Sequence, residues 1–231
     1  MIMIHELPFA YLHMTGPKML ILPQLLKNER YSEFVLKYKG YKILDNGAFE
    51  NKVPISHEEI LELAYTYNVQ EIVLPDVWRD GQKTVSLHKE FMSVISKGDK
   101  KRFYFMAVPH GKSILEYAAC YKEIVENIDY DTIGVNRPKG ENGHIRPWII
   151  RWLDPTRENT YHLLSLRFPN ELLYYKDMPN VISCDCSDAS HGKNGKIDWF
   201  EPYSRDREIE IACNIMHLNK LAGDNNVPQV L

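Results

Sequence analysis

Three aspartates stand just beyond short apolar runs: Asp45 after Tyr41–Leu44, Asp76 one proline past Glu71–Leu74, and Asp185 directly after Val181–Cys184. Carboxylates gathered in this way suit chemistry at a sugar carbon. One attacks the anomeric carbon and another serves the leaving group as acid and base. A third can accept hydrogen bonds from a bound base or sugar. A second chemistry is open on the same residues, since clustered aspartates with His110 could hold a divalent ion for metal-assisted hydrolysis. Taken singly, each aspartate also has an ordinary reading as a helix N-cap or turn former, and Asn46-Gly47 is a common turn dipeptide. The three together argue for a site, because a purely structural chain has less reason to place all of them where apolar runs stop.

The elements that must position these residues follow a regular alternation. Short apolar, β-branched runs recur at Met19–Leu22, Tyr41–Leu44, Glu71–Leu74, Phe103–Val108, Thr132–Val135, Tyr161–Leu166 and Val181–Cys184, with an edge piece at Ile2–His5. Between them lie stretches of helical period. Ser56-His-Glu-Glu59 is a capping-box pattern opening Ile60, Leu61, Leu63 and Ala64 on one face. Gly111–Asn127 and Glu208–Leu221 carry apolar residues at helical spacing, Gly223 follows as a stop, and Pro169 starts a short helix through Tyr175. Strands alternating with helices predict an α/β protein with a parallel sheet. We read a single-domain, near-minimal (β/α)8 barrel of the TIM type over residues 1–222, with a loose tail at 223–231; a doubly wound open sheet is the alternative. Lys97, Lys100, Lys101 and Arg102 read as a solvated loop on the far face, and Gly192–Ser204 as a loop.

In either architecture ligands bind at the carboxyl ends of the strands. Successive runs here end in Asp45-Asn-Gly-Ala-Phe-Glu50, Pro75-Asp76-Val-Trp78, Val108-Pro-His-Gly111, Gly134-Val-Asn-Arg137, Ser165-Leu-Arg167 and Cys184-Asp-Cys-Ser-Asp-Ala-Ser190. Each tip is polar or carries a glycine.

Composition narrows the class. The 231 residues are 44% apolar and 26% charged with a formal charge of −3, which is ordinary for a globular chain and too apolar for a disordered one. A pI near 6.3 is unlike the usual basic nucleic-acid module, so any such role rests on local clusters. No apolar run reaches the length of a membrane span, and the opening Met1-Ile-Met-Ile-His-Glu6 lacks a basic, apolar leader pattern. Cys120, Cys184, Cys186 and Cys213 have no framework spacing and read as reduced thiols of a cytoplasmic protein.

The ordered motifs resemble those of the tRNA-guanine transglycosylase superfamily, and in size the small phage branch that inserts 7-deazaguanines into DNA. Asp45-Asn-Gly-Ala-Phe-Glu50 is similar to the family's Asp-Ser-Gly-Gly-Phe-Gln. Leu74-Pro-Asp76 sits where the family has its base-reading aspartate, and Ala107-Val-Pro-His-Gly111 resembles its Val-Gln-Gly turn. Ile133-Gly-Val135 resembles its glycine-rich tip. His162-Leu-Leu-Ser-Leu166 with Pro169-Asn-Glu-Leu-Leu173 resembles its His-Leu-Leu-Gly and Pro-Glu-Asp-Leu-Leu run. Asp185-Cys186 with Asn194-Gly195 resembles its Phe-Asp-Cys and Arg-Asn-Gly segments. The resemblance covers about residues 41–195.

It implies that Asp185 attacks C1′ of a guanine nucleoside, with Asp188 the neighbouring alternative, and that Asp45 is the general acid and base. Asp76 would accept from guanine N1–H and the exocyclic amine. His110, Gly111, Asn136 and the backbone at Gly134-Val135 would line the base, with Phe49, Trp78 or Tyr104 stacking on it. Arg137, Lys139 and Arg146, with Lys193 and Lys196, follow strands and would touch phosphate. Members acting on tRNA carry a zinc site; here Cys213 and His217 lack two further ligands, so no metal or cofactor is expected, and DNA is favoured over tRNA as partner beside a free 7-deazaguanine base. A homodimer, an accessory protein, a hydrolytic glycosidase and a non-catalytic binding barrel stay open.

Overall fold

A computed structural model describes residues 1–136, 145–166, 168–191 and 196–228. Eight strands form one sheet: β1 (Ile2–His5), β2 (Lys18–Ile21), β3 (Tyr41–Leu44), β4 (Glu71–Val73), β5 (Tyr104–Ala107), β6 (Thr132–Val135), β7 (Tyr161–Leu163) and β8 (Val181–Cys186). Their order is β1-β8-β7-β6-β5-β4-β3-β2 and every ladder is parallel. The two ends of that order, β1 and β2, lie alongside each other, so the sheet curls into a nearly closed (β/α)8 barrel of the TIM type. The edge piece is a full member: Ile2–His5 runs in register with Ser183–Cys186.

Helices α1 (Glu29–Lys37), α2 (Ala48–Asn51), α3 (His57–Thr66), α4 (Gly81–Val94), α5 (Lys97–Arg102), α6 (Ile114–Asn127), α7 (Ile145–Leu153) and α8 (Arg205–Ala222) occupy the crossovers. After β1 and β7 the crossover is only a 3₁₀ turn, at Phe9–Met14 and Pro169–Tyr175. Helix starts follow local chemistry: the side chains of Asn28, Ser56, Asp80 and Ser113 each accept a backbone N–H of the first turn. The basic segment Lys97–Arg102 is helical instead of a loop, because Ser96 and Asp99 close a reciprocal capping box. Gly223 ends α8 at φ 68°.

Alternation along each strand makes two apolar zones. Ile4, Leu20, Leu22, Ile43, Val73, Met106 and Val108 fill the barrel interior. Met3, Ile21, Leu44, Ile72, Ala107, Ile133 and Leu163 face outward against the helices. Each such Leu or Ile contributes about 1.5–3 kcal/mol by leaving water. Continuing the inward row by two residues turns it polar at the mouth: Ile43 leads to Asp45, Val108 to His110, Gly134 to Asn136, and Ser183 to Asp185.

The tail expected to be loose is tied down through residue 226. Asp224 Oδ2 accepts from the Met3 amide at 2.9 Å, and the Asn219 side chain donates to the Asn226 carbonyl at 2.8 Å. Residues 229–231 lie outside the described residues. Among the described residues no helix is long and apolar enough to cross a membrane.

Candidate active site at the carboxyl ends of the strands

Asp185 sits 4% exposed at the end of β8, held from two sides. Its Oδ1 lies 2.9 Å from His162 Nε2, and its Oδ2 accepts the Ser165 amide at 3.0 Å. The ladder builds this contact, since His162 on β7 pairs with Ser183 on β8, two residues before Asp185. His162 is itself fully buried, and its Nδ1 lies 2.8 Å from Ser183 Oγ. A carboxylate can only accept at Nε2, so that nitrogen carries a proton, and Nδ1 is hydrogen-bonded to the Ser183 hydroxyl. Ser165 holds φ at 55°, in the left-handed region that costs a residue with a Cβ about 1–2 kcal/mol. That conformation aims its N–H at Asp185. Serine pays in backbone strain for that amide direction.

A parallel chain runs through the neighbouring tips. Asn136 Nδ2 donates to the Pro109 carbonyl at 3.0 Å, which fixes the amide, and reaches His110 Nδ1 at 2.9 Å. The Arg79 amide donates to the same Nδ1 at 3.3 Å. Nδ1 is therefore an acceptor, and Nε2 donates to Asp76 Oδ2 at 3.2 Å. Asp76 stands off the inward row. It is itself buried, with His110 as its contact partner. The Trp78 ring meets His110 edge-on at 5.8 Å and Phe49 at 5.9 Å. At 46% and 65% exposure these two aromatics are unlike a packed core pair, with the Lys52 ammonium over the Phe49 ring at 5.2 Å. Tyr104 opens β5, at the amino end of the barrel and away from the mouth, so it cannot stack there.

Asp45 is part-buried at the end of β3 and shows the turn chemistry as well: its Oδ1 accepts the Gly47 amide at 2.6 Å, with Gly47 at φ 71°. Asn46 is buried and ties the loop to β4, donating to the Leu74 carbonyl at 2.7 Å. Asp188 lies off the strand in a 3₁₀ turn, 3.4 Å from His191 Nδ1. The glycines serve packing. A Cβ on Gly111 would come within 2.3 Å of the Tyr117 amide nitrogen, and one on Gly134 within 2.9 Å of Val108 inside the barrel. The Val135 side chain points to the outer core, and its carbonyl accepts from Leu164 N and Arg146.

One expected phosphate contact is overturned. Arg146 is fully buried, forming a two-pronged ion pair with Glu171 at 2.7 and 2.8 Å and donating to the Leu164 carbonyl at 2.6 Å. Burial opposes its charge, and the Glu171 bonds and charge outweigh burial and hold it firmly protonated. It braces α7 to the turn at Pro169–Tyr175. Lys196 is exposed. Arg137, Lys139, Lys193 and the Asn194-Gly195 segment lie outside the described residues.

Burial pushes the Cys184 and Cys186 thiols well above the ordinary range and Cys120 to about 11, so none of these is a ready nucleophile. Among the described residues no three His, Cys, Asp or Glu side chains are grouped to hold a metal ion. His162, Ser183 and Ser165 are members of this cluster that motif reading alone did not assign; the side-chain partners of His162, Ser183 and Asp185, are remote in sequence.

The mouth thus carries one clamped carboxylate, a second carboxylate–histidine–amide chain, and an exposed aromatic pair. Neither a scan of family models nor a search of curated proteins finds a match for the chain.

Proposed function

We propose that this protein is a base-exchange transglycosylase that replaces guanine in DNA with a 7-deazaguanine base. The observation that carries the reading is Asp185: an inward-facing carboxylate at the barrel mouth, with both oxygens fixed by N–H donors from below. A carboxylate held in this way is pre-positioned for attack on an anomeric carbon.

In the first displacement a carboxylate oxygen of Asp185 forms a bond to C1′ as the C1′–N9 bond breaks, with the departing guanine protonated by Asp45. The nucleoside is left as an ester on Asp185. In the second, Asp45 takes the N9 proton of the incoming 7-deazaguanine. That nitrogen bonds to C1′, and the ester C–O bond breaks to return Asp185. Asp76, oriented by the His110 Nε2–H, would accept hydrogen bonds from guanine N1–H and the exocyclic amine. Phe49 and Trp78 would stack on the base, worth about 1–3 kcal/mol.

The test is intact mass after mixing the protein with a guanine-containing oligodeoxynucleotide. A nucleoside-sized adduct is expected in the wild type and lost in Asp185→Ala, together with incorporation of labelled 7-deazaguanine. Incorporation by Asp185→Ala at the wild-type rate refutes the assignment. Free guanine released without any acceptor base marks a hydrolase instead. Parallel nucleoside analysis of DNA and tRNA decides the polymer.

A further inference from the structure

A cavity of about 640 Å³ opens between α4 and α6, on the same end of the barrel as the mouth. It adjoins the candidate site directly, because Arg79, in its wall, donates its amide to His110. Its charged lining is Arg79, Asp80, Lys112, Glu116 and Glu123. The acids are largely engaged. Asp80 caps α4 and pairs with Lys83 at 3.5 Å, Glu123 pairs with Lys89 at 2.6 Å, and Glu116 accepts the Lys112 amide at 2.8 Å. The cations make no contact ion pair, although the Lys112 charge reaches Asp80. Among the described residues neither Arg79 nor Lys112 has a side-chain ion pair, and Arg79 Nε is buried with no hydrogen-bond partner. Arg79 also holds φ at 62°, a strained setting for a residue with a Cβ. The amino ends of two 14-residue helices add partial positive charge at the same place.

Two cations without a contact ion pair, one of them Arg79 with its orphaned guanidinium nitrogen, and two helix amino ends ask for an anion with several acceptor oxygens. We infer that this cavity seats a backbone phosphate of the strand whose nucleoside enters the mouth, an inference that rests on the transglycosylase reading for its choice of strand. It supplies the electrostatic hold that Arg146, buried against Glu171, does not. The same phosphate chemistry could come from a free mononucleotide, and the test separates the two.

Binding of a labelled, guanine-containing single-stranded oligodeoxynucleotide is measured against salt for the wild type, Lys112→Gln and Arg79→Gln. Each lost phosphate contact lowers the log–log salt slope by about 0.7, with an expected 3- to 10-fold weaker affinity at low salt. Lys112 is exposed and caps nothing with its side chain, so its variant keeps the inference testable if Arg79→Gln misfolds. Unchanged slope and affinity in a folded Lys112→Gln protein overturn it. So does an Arg79- and Lys112-dependent site for guanosine monophosphate that leaves oligonucleotide binding untouched. A wild type that binds the strand through these residues but never forms an Asp185 adduct sinks the transglycosylase reading and leaves the phosphate seat standing.

Discussion

The sharpest prediction concerns His162. Replacing it with Phe keeps a ring in the same buried space but removes the N–H that Asp185 Oδ1 receives at 2.9 Å, and leaves the Ser183 hydroxyl without its 2.8 Å partner. A hydrogen bond to a charged group contributes about 1.5–3 kcal/mol. On the transglycosylase reading, part of that holds the carboxylate at the angle attack requires. With one of its two fixed oxygens released, Asp185 turns about the remaining Ser165 contact, and adduct formation should slow roughly 10- to 100-fold, at about 1.4 kcal/mol per tenfold. Ser183→Ala removes only the hydroxyl bonded to His162 Nδ1 and should cost less, roughly 3- to 10-fold. The double variant should be no worse than His162→Phe alone, because both act through one chain. His162→Gln, which restores an N–H donor, should recover part of the loss. The assay is single-turnover adduct formation followed by intact mass, with strand affinity measured separately and folding checked by thermal melting. Wild-type rates in a folded His162→Phe protein would refute the positioning argument. Rate and affinity falling by the same factor would reduce it to a general loss of structure.

Two further outcomes follow from the buried charges. Arg146→Met should destabilise by about 3–5 kcal/mol in urea unfolding, since it strands Glu171 in the interior, while Arg146→Met with Glu171→Leu should recover most of the loss; strand affinity of that double variant should match the wild type if Arg146 does not touch phosphate. His88 is fully buried, and burial pushes it down to about 4 from its usual 6.5, with Asp76 opposing. The neutral form is the folded one, so the contribution is complete above pH 6.5 and is lost as pH falls toward 4. Stability should drop by about 3 kcal/mol across that window, and His88→Phe should flatten the profile.

Much of this architecture was legible because its strands are short apolar runs buried on both faces, which sequence reads as continuous. Every run placed from sequence is a strand here, within a few residues at the ends. The helices were harder. On α4 the buried face includes Thr84 and His88, which break the apolar period, and α7 opens with a buried arginine followed by Pro147. Arg146 was misjudged because its partner lies 25 residues on, where no local pattern can announce it. Asp185 is singled out in sequence by its place after a strand. His162 was not assigned, since its role depends on β7 and β8 pairing in one register.

The barrel's ladders run unbroken from β2 round to β8 and β1, but among the described residues no ladder joins β1 to β2. A ring with one unlaced joint opens most cheaply at that joint. Amide exchange should therefore be fastest on the facing edges of β1 and β2. The chain through Asp76, His110 and Asn136 lies across the ring, on the tips of β4, β5 and β6, where a gape at the joint changes spacing least. The protein can breathe along one side while the Asp76–His110–Asn136 side keeps its shape.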